Sequence, residues 1–193
     1  MCLRNIAGLA ILLALGLSSL AVAAPVPRPS PEFVIIEASG KAIPLASFKG
    51  KVVVVEFLLT RCARCLRVAQ TINNLHSELA PRGFQAIGIA FDTGVNGLTV
   101  NNLVQLLKLN YPIGYATSDK VDSYLGRAMT ERFQVPQIVV IDRAGVIRAQ
   151  SRPAGEANLL DESYLRTLID GLLKEGAPAG NTEKTTAAPG NAG

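Results

Sequence analysis

The chain has 193 residues, of which 49% are apolar, and a formal net charge of +4. This apolar content is too high for a disordered protein, and the length suits one domain with its own hydrophobic core plus extensions. The basic residues form no stripe interleaved with aromatic residues. The composition therefore gives no support to a nucleic-acid-binding protein.

The first 23 residues have the three parts of a secretory signal peptide. Arg4 precedes an apolar run over residues 6–20, and the small residues of positions 21–24 follow. We expect cleavage after Ala23, which removes one of the three cysteines and one positive charge, lowering +4 to +3. The apolar run is about fifteen residues, near the short limit for a membrane span, so an uncleaved membrane anchor is the alternative. Both outcomes predict an exported protein in a periplasmic or other extracytoplasmic compartment, where disulfides persist.

The remaining chain is predicted to alternate strands and helices. A Pro-rich stretch, residues 24–31, reads as an extended linker, because prolines fix φ and cannot donate to a ladder. Apolar periodicity then predicts, in chain order, strands at 33–37, 43–45 and 51–59, a helix at 62–80, a strand at 84–91, a helix at 97–109, a strand at 111–116, a helix at 118–125, strands at 135–141 and 146–150, and a helix at 161–174. This order predicts an α/β sandwich with a mixed sheet over residues 32–175, opened by a β-hairpin. Residues 176–193 are small and polar, and we expect them to be disordered.

The strongest chemical signal is the C-x-x-C spacing of Cys62 and Cys65 at a predicted strand-to-helix junction. Cys62 would lie at a helix N-terminus, where unpaired N–H groups and the helix dipole favour a thiolate. Arg61, Arg64 and Arg67 add positive charge that lowers the pKa of the thiol further. Cys65 would lie one turn into the helix, in position to attack a mixed disulfide. We therefore predict that Cys62 attacks, that Cys65 resolves, and that the oxidised form holds a Cys62–Cys65 disulfide.

A structural disulfide and a metal site are the alternatives for this pair of cysteines. A disulfide between residues three apart closes a very small loop, so it removes little chain entropy from the unfolded state. A zinc site needs four ligands, or three and a water, and the one histidine, His76, would lie about 16 Å further along the same helix. We therefore adopt the redox interpretation, with no metal and no cofactor.

Glu56 and Pro136 are unusual for their positions. Glu56 places a carboxylate inside the most apolar predicted strand, where a charged group is costly. Either this position reaches a sheet edge or a water-filled gap, or its carboxyl has a raised pKa and exchanges the proton of Cys65. Pro136 stands at the beginning of a predicted strand, where proline is tolerated.

Four stretches of the chain resemble the thioredoxin-like superfamily, and in particular the exported TlpA and ResA type, which grades into the redoxin and AhpC/TSA families. They are PEFVI, SGKAIPLASFKGKVVVVEFLLTRCARC, GFQAIGIAFD and VPQIVVIDRAGVIRA, which cover most of residues 31–150. The resemblance implies a thioredoxin-like three-layer α/β/α sandwich with an N-terminal β-hairpin. It also implies a cis peptide bond between Val135 and Pro136, packed against the dithiol, and the proton-relay role for Glu56.

Two positions depart from the pattern of the superfamily. Its members carry an aromatic residue before the first cysteine, where this chain has Arg61, and Ala63-Arg64 lacks the usual proline between the cysteines. A cationic Arg64 should stabilise the attacking thiolate and make the protein more oxidising. Together with Val135 and Pro136, Arg61 and Arg64 are the predicted substrate-binding residues, on the rim around the dithiol.

The predicted function is that of an enzyme, a thiol–disulfide oxidoreductase. Its expected partners are the thiols and disulfides of other exported proteins, with a membrane-bound redox donor as a further candidate, and we expect a monomer. A peroxiredoxin-type peroxidase is the nearest alternative, but Val55 and Leu59 stand where that family carries Pro and Thr or Ser. A copper-delivering protein of the same fold would have three residues between its cysteines, where this chain has two, and would add a late histidine. A redox-inert interaction domain is the last alternative, and the intact C-x-x-C argues against it.

Overall fold

The computed structural model describes residues 24–128, 133–155 and 157–175. The strands of these residues are β1 (Arg28–Pro29), β2 (Val34–Glu37), β3 (Ala42–Pro44), β4 (Val52–Leu58), β5 (Phe84–Ala90), β6 (Ile113–Tyr115), β7 (Gln137–Ile141) and β8 (Val146–Gln150). The α-helices are α1 (Ala63–Leu79), α2 (Gly97–Leu107), α3 (Ser118–Leu125), α4 (Ala157–Leu160) and α5 (Glu162–Lys174). Short 3-10 helices cover Leu45–Phe48 and Ala80–Arg82.

The strands form one sheet in the order β1-β8-β7-β4-β5-β6-β2-β3. The pairs β4–β5 and β5–β6 are parallel and the others are antiparallel, which confirms the predicted mixed sheet. The β2–β3 pair is the predicted N-terminal hairpin. All seven residues of β4 are buried, because β5 and β7 cover its two edges and helices cover its faces.

The helices divide between the two faces of the sheet, which gives the three-layer α/β/α sandwich that the resemblance implied. Side chains along a strand alternate between faces, so β4 contributes to both hydrophobic cores. On one side, the α1 face, Val52, Val54 and Leu58 pack with buried residues of α1, α2 and α5. On the other side, the α3 face, Val53, Val55 and Phe57 pack with residues of α3 and of the N-terminal hairpin.

The Pro-rich stretch differs from the predicted linker because part of it joins the sheet. Arg28 and Pro29 pair antiparallel with Ile147 and Val146 of β8. The Arg28 guanidinium also donates to the Tyr124 carbonyl at 3.0 Å. A proline is tolerated on an edge strand, since only one side of that strand must hydrogen-bond. Thus β1 forms an edge of the sheet, where the sequence predicted a chain without ladder bonds.

Other predictions of chain organisation have mixed outcomes. The predicted signal peptide, residues 1–23, and the predicted disordered tail, residues 176–193, lie outside the described residues. Among the helices that are described, none combines the length and the apolar character needed to cross a membrane. The short helix α4 was not predicted, and it leads directly into α5.

Candidate active site

The two cysteines lie where β4 passes into α1. Cys62 is the N-cap residue of α1, and its Sγ accepts the backbone N–H of Cys65 at 3.2 Å. The cysteines form a disulfide, with their Cα atoms 5.2 Å apart, inside the range that disulfides span. The same N–H group and the positive end of the α1 dipole would stabilise a Cys62 thiolate after reduction. The predicted placement of Cys62 at a helix N-terminus is therefore confirmed.

The two sulfurs differ in their access to solvent. Cys62 is only partly buried, whereas the side chain of Cys65 is completely buried in the core of the α1 face. A substrate can therefore reach Cys62 first. Cys65 can reach only what is already attached to Cys62, as a resolving cysteine must.

Asp92 fixes the turn that leads to Cys62, and the sequence did not reveal this role. The Thr60 backbone N–H donates to Asp92 Oδ1 at 3.0 Å and to Oδ2 at 2.9 Å, and the Thr60 hydroxyl donates to Oδ1 at 3.2 Å. Leu58 and Ala90 are paired at the ends of the parallel strands β4 and β5, so the residues two positions later meet as well. The sequence contained one signal for the Thr60–Asp92 contact: both are polar residues that follow adjacent parallel strands, and such residues share one edge of the sheet.

Three exposed arginines surround the Cys62 end of α1. Arg61 precedes the N-cap, and Arg64 and Arg67 follow on the first two turns of the helix. Arg64 Nη1 donates to Gln134 Oε1 at 3.3 Å. Within the described part of the chain, none of these three guanidinium groups forms an ion pair.

A loop before β7 faces the same end of α1. The peptide bond between Val135 and Pro136 is cis, as the resemblance implied. Gln134 fixes this loop, because its N–H donates to the Pro153 carbonyl at 2.8 Å and its carbonyl accepts from Gln137 Nε2 at 2.6 Å. Pro136, Gln134 and Arg64 line a cleft of about 580 Å³, whose other lining residues are Ala154, Gly155, Ala157, Leu160 and Asp161. The structure thus brings Arg64 and Pro136 to one cleft. Neither Arg61 nor Val135 is among the residues that line it.

An aromatic stack supports this loop from the α3 face. The Arg127 guanidinium lies 3.8 Å from the centroid of the Phe133 ring, and Phe133 stacks on Phe91 with ring centroids 5.9 Å apart. Arg127 also forms an ion pair with Asp122, and the two side chains are only 6% and 5% exposed. The loop that contains the cis-proline is therefore connected through Phe133 to a buried ion pair. The sequence gave no local signal of this arrangement.

Glu56 is completely buried at the centre of β4, and its two neighbours there are Gly88 of β5 and Ile138 of β7. The sheet-edge explanation is therefore wrong. By strand alternation its side chain points to the α1 face, whose core contains Cys65. Neither carboxylate oxygen has a hydrogen-bond partner among the described residues, and burial raises the pKa of Glu56 well above its ordinary value.

Tyr111 shares this environment. Its hydroxyl donates to the Ala69 carbonyl of α1 at 3.2 Å. Burial raises the pKa of the Tyr111 phenol, and the charge of Glu56 raises it further. The two acids thus share one buried environment beneath α1. In the described ranges, no three His, Cys, Asp or Glu side chains come together in a group that could hold a metal ion.

Comparisons with known proteins agree with this architecture. A family model described as the AhpC/TSA family matches residues 26–150, well over half of the chain. The chain belongs to the AhpC/TSA family. This AhpC/TSA-family chain is similar to the thiol-disulfide oxidoreductase ResA of Bacillus thuringiensis subsp. konkukian. The two are 26% identical over 141 residues, which cover 73% of this chain and 77% of that relative.

Solved structures extend the likeness to the fold. A thiol:disulfide interchange protein of the thioredoxin family from Chlorobium tepidum TLS has a TM-score of 0.62 and 25% identity, over 78% of this chain and 99% of that one. A thiol:disulfide interchange protein from Bacteroides sp. has the same TM-score at 20% identity, over 82% and 95% of the two chains, and shows the shared fold. The AhpC/TSA-family chain is therefore a thioredoxin-like protein of the TlpA and ResA type.

Proposed function

We propose that this AhpC/TSA-family protein is an exported thiol–disulfide oxidoreductase that exchanges disulfides with cysteines of other extracytoplasmic proteins. The asymmetry of its two cysteines carries the proposal. Cys62 is accessible at a helix N-terminus and accepts an N–H, while Cys65 is buried one turn further along α1. The relative from Bacillus thuringiensis, which this chain matches over 77% of that relative's length, is named a thiol-disulfide oxidoreductase. This name supports the same chemistry.

The exchange proceeds in two displacement steps. The Cys62 thiolate attacks one sulfur of a substrate disulfide, forming a mixed disulfide, and the second substrate sulfur leaves as a thiolate that takes up a proton. The Cys65 thiolate then attacks Cys62 Sγ, forming the Cys62–Cys65 disulfide and releasing the first substrate sulfur. Two electrons pass from the protein to the substrate, and the same steps in reverse oxidise a substrate dithiol. A membrane-bound thiol donor or disulfide acceptor would restore the starting form.

Glu56 is the proposed proton carrier for Cys65. Cys65 must lose its proton before it attacks, and its buried sulfur has no direct access to water. A carboxyl group whose pKa is raised by burial is closer to a thiol in proton affinity than an ordinary glutamate, which makes the transfer less uphill. Its position on the α1 face, toward the core that holds Cys65, supports this role.

Arg61, Arg64, Val135 and Pro136 are the proposed substrate-binding residues. Arg64 and Pro136 line the cleft beside α1, and Val135 packs against both cores. In this arrangement the extended loop before β7 would lie alongside a substrate segment while Cys62 attacks its sulfur.

Two separate assays, one of insulin disulfide reduction and one of peroxide consumption, test the proposed function. The wild-type protein should reduce the disulfides of insulin with a chemical thiol as donor, and Cys62→Ser should abolish this activity. Rapid peroxide consumption that persists in Cys65→Ser, without insulin reduction by the wild type, would instead establish the peroxidase alternative. Failure of the wild type in both reactions would favour a redox-inert domain.

A further inference from the structure

The rim of the dithiol carries a positive charge that the fold itself leaves unbalanced. Arg61, Arg64 and Arg67 are exposed, and none of them has an ion-pair partner in the described ranges. Four arginines elsewhere form ion pairs, for example Arg82 with Asp170. Two others, Arg28 and Arg143, donate to backbone carbonyls instead. Among the described residues, the three arginines around Cys62 thus lack the carboxylate partners that several other arginines have.

The three arginines flank Cys62 along the chain. Residues three apart on a helix lie on the same face, so Arg64 and Arg67 project side by side from α1. Arg61 adds its charge one residue before the N-cap, at the positive end of the helix dipole. A substrate that reaches Cys62 therefore approaches a segment that carries three exposed guanidinium groups and the helix N-terminus.

Acidic groups of the same region are already engaged. Asp92 accepts three hydrogen bonds from Thr60, and the carboxylate of Asp161, which lines the same cleft as Arg64, accepts from Tyr164 N and Ser163 Oγ. These hydrogen bonds orient the two carboxylates toward the turn before Cys62 and the first turn of α5. Within the described residues, no acidic side chain lies within ion-pair distance of the three arginines.

We propose that the preferred substrates present acidic residues next to the cysteine that exchanges with Cys62. This inference rests on the proposed function and specifies its substrate class. Guanidinium groups bind carboxylates through paired hydrogen bonds, and complementary charge raises the rate at which partners meet. The carboxylates of the substrate would contact Arg61, Arg64 and Arg67 while the mixed disulfide forms.

Three synthetic peptides with one internal disulfide test this substrate class. They are identical except that the residues on either side of the first cysteine are Glu, Gln or Lys. The rate constant for oxidation of the reduced protein is measured with each, and the electrons pass from the Cys62–Cys65 dithiol to the peptide disulfide. We expect the Glu peptide to react about tenfold faster than the Lys peptide at low salt. This ratio should approach one in about 1 M salt, where the screening length falls to about 3 Å.

Two charge-matched double variants assign the effect to the rim. Arg61→Gln/Arg64→Gln should bring the Glu-to-Lys ratio to within about twofold of one. Lys49→Gln/Lys174→Gln also removes two positive charges, but from exposed positions just before β4 and at the last residue of α5. The rim lies at the other end of each element, so this variant should keep the ratio. Because the Gln peptide reports any change in thiolate reactivity, the ratio isolates recognition of substrate charge.

Equal rates with the Glu and Lys peptides, when the Gln peptide reacts, would overturn the inference and leave the proposed function standing. A ratio that is lost equally in both double variants would assign the preference to net charge and overturn the role of the rim. If the wild type reacts with none of the peptides, the proposed function fails and the inference fails with it.

Discussion

Two buried carboxyl groups on opposite faces of the same sheet have different environments. Asp122, on the α3 face, forms an ion pair with Arg127, and the guanidinium also stacks on Phe133. Glu56, on the α1 face, has no hydrogen-bond partner for either oxygen among the described residues. Both are almost inaccessible to water, so burial alone does not distinguish them.

The difference lies in what compensates the lost hydration of each group. A buried carboxylate with a guanidinium partner has a counter-charge beside it, and the pair becomes a fixed part of the structure. A buried carboxyl without a partner takes up a proton instead, so its protonation can change during a reaction. One face of the sheet thus holds a structural charge beneath the loop of Pro136, and the other holds an exchangeable proton beneath α1.

The largest expected effect comes from removing one member of the buried Asp122–Arg127 ion pair. Arg127→Gln leaves the Asp122 carboxylate buried without its counter-charge, which should lower the free energy of unfolding by about 3–5 kcal/mol. Urea-induced unfolding of the oxidised protein measures the loss. The double variant Asp122→Leu/Arg127→Met removes both charges at similar volume and should lose much less. Equal losses in the two variants would contradict a charge-based explanation.

The unpaired carboxyl group of Glu56 should affect the rate of the resolving step. Glu56→Gln keeps the shape of the side chain but cannot exchange a proton, so the resolving step should slow by about 100-fold. Stopped-flow measurement of peptide release from the Cys62 mixed disulfide reports this step, and formation of the mixed disulfide should change little. Glu32→Gln makes the same chemical change at an exposed position and should have no effect. Equal slowing of both steps would indicate a structural role for Glu56.

The same substitution should change how stability depends on pH. Burial raises the pKa of folded Glu56 above its ordinary value of 4.5, so the folded chain binds more protons than the unfolded chain above that pH. Stability is therefore lost as pH rises toward the folded pKa, by about 1.4 kcal/mol per pH unit from this one group. The free energy of unfolding, measured from pH 4 to 7, should increase for Glu56→Gln relative to the wild type as pH rises. A constant difference between the two would contradict this linkage.

The smallest effect concerns a charge that is neither buried nor paired. Arg64 is exposed two residues after Cys62, and solvent weakens the influence it would have on a Cys62 thiolate. Arg64→Gln should make the reduced form slightly less stable, so that the reduction potential falls by about 5–20 mV. Equilibration with glutathione measures the potential, and Lys174→Gln is the matched control. A potential that rises or does not move would contradict a stabilising role for Arg64.

The sequence predicted most of the sheet and the dithiol because their signals are local. Continuous apolar residues identify β4 as a central strand, and the C-x-x-C spacing at its end places both cysteines on the first turn of α1. The Val135–Pro136 cis bond followed from family resemblance, since nothing in the local pattern distinguishes it from an ordinary strand start.

Features that depend on distant partners were not predictable in this way. Asp92 and Thr60 are 32 residues apart, and they meet only because β4 and β5 are parallel and in register. Asp122 and Arg127 are only five residues apart, but the burial of this pair and its stack on Phe133 depend on how α3 packs against the sheet. For the Pro-rich stretch, local propensity gave an extended chain, and only pairing with β8 made it a strand.

The division of labour between Cys62 and Cys65 can be tested directly by trapping the mixed disulfide. Reduced Cys65→Ser and Cys62→Ser variants are each mixed with a disulfide peptide, and the covalent products are located by mass spectrometry. Our account predicts that Cys65→Ser accumulates peptide on Cys62, because the resolving thiol is missing, and that Cys62→Ser captures almost none. Capture of the peptide by Cys65 at a comparable rate, or by neither variant, would contradict it.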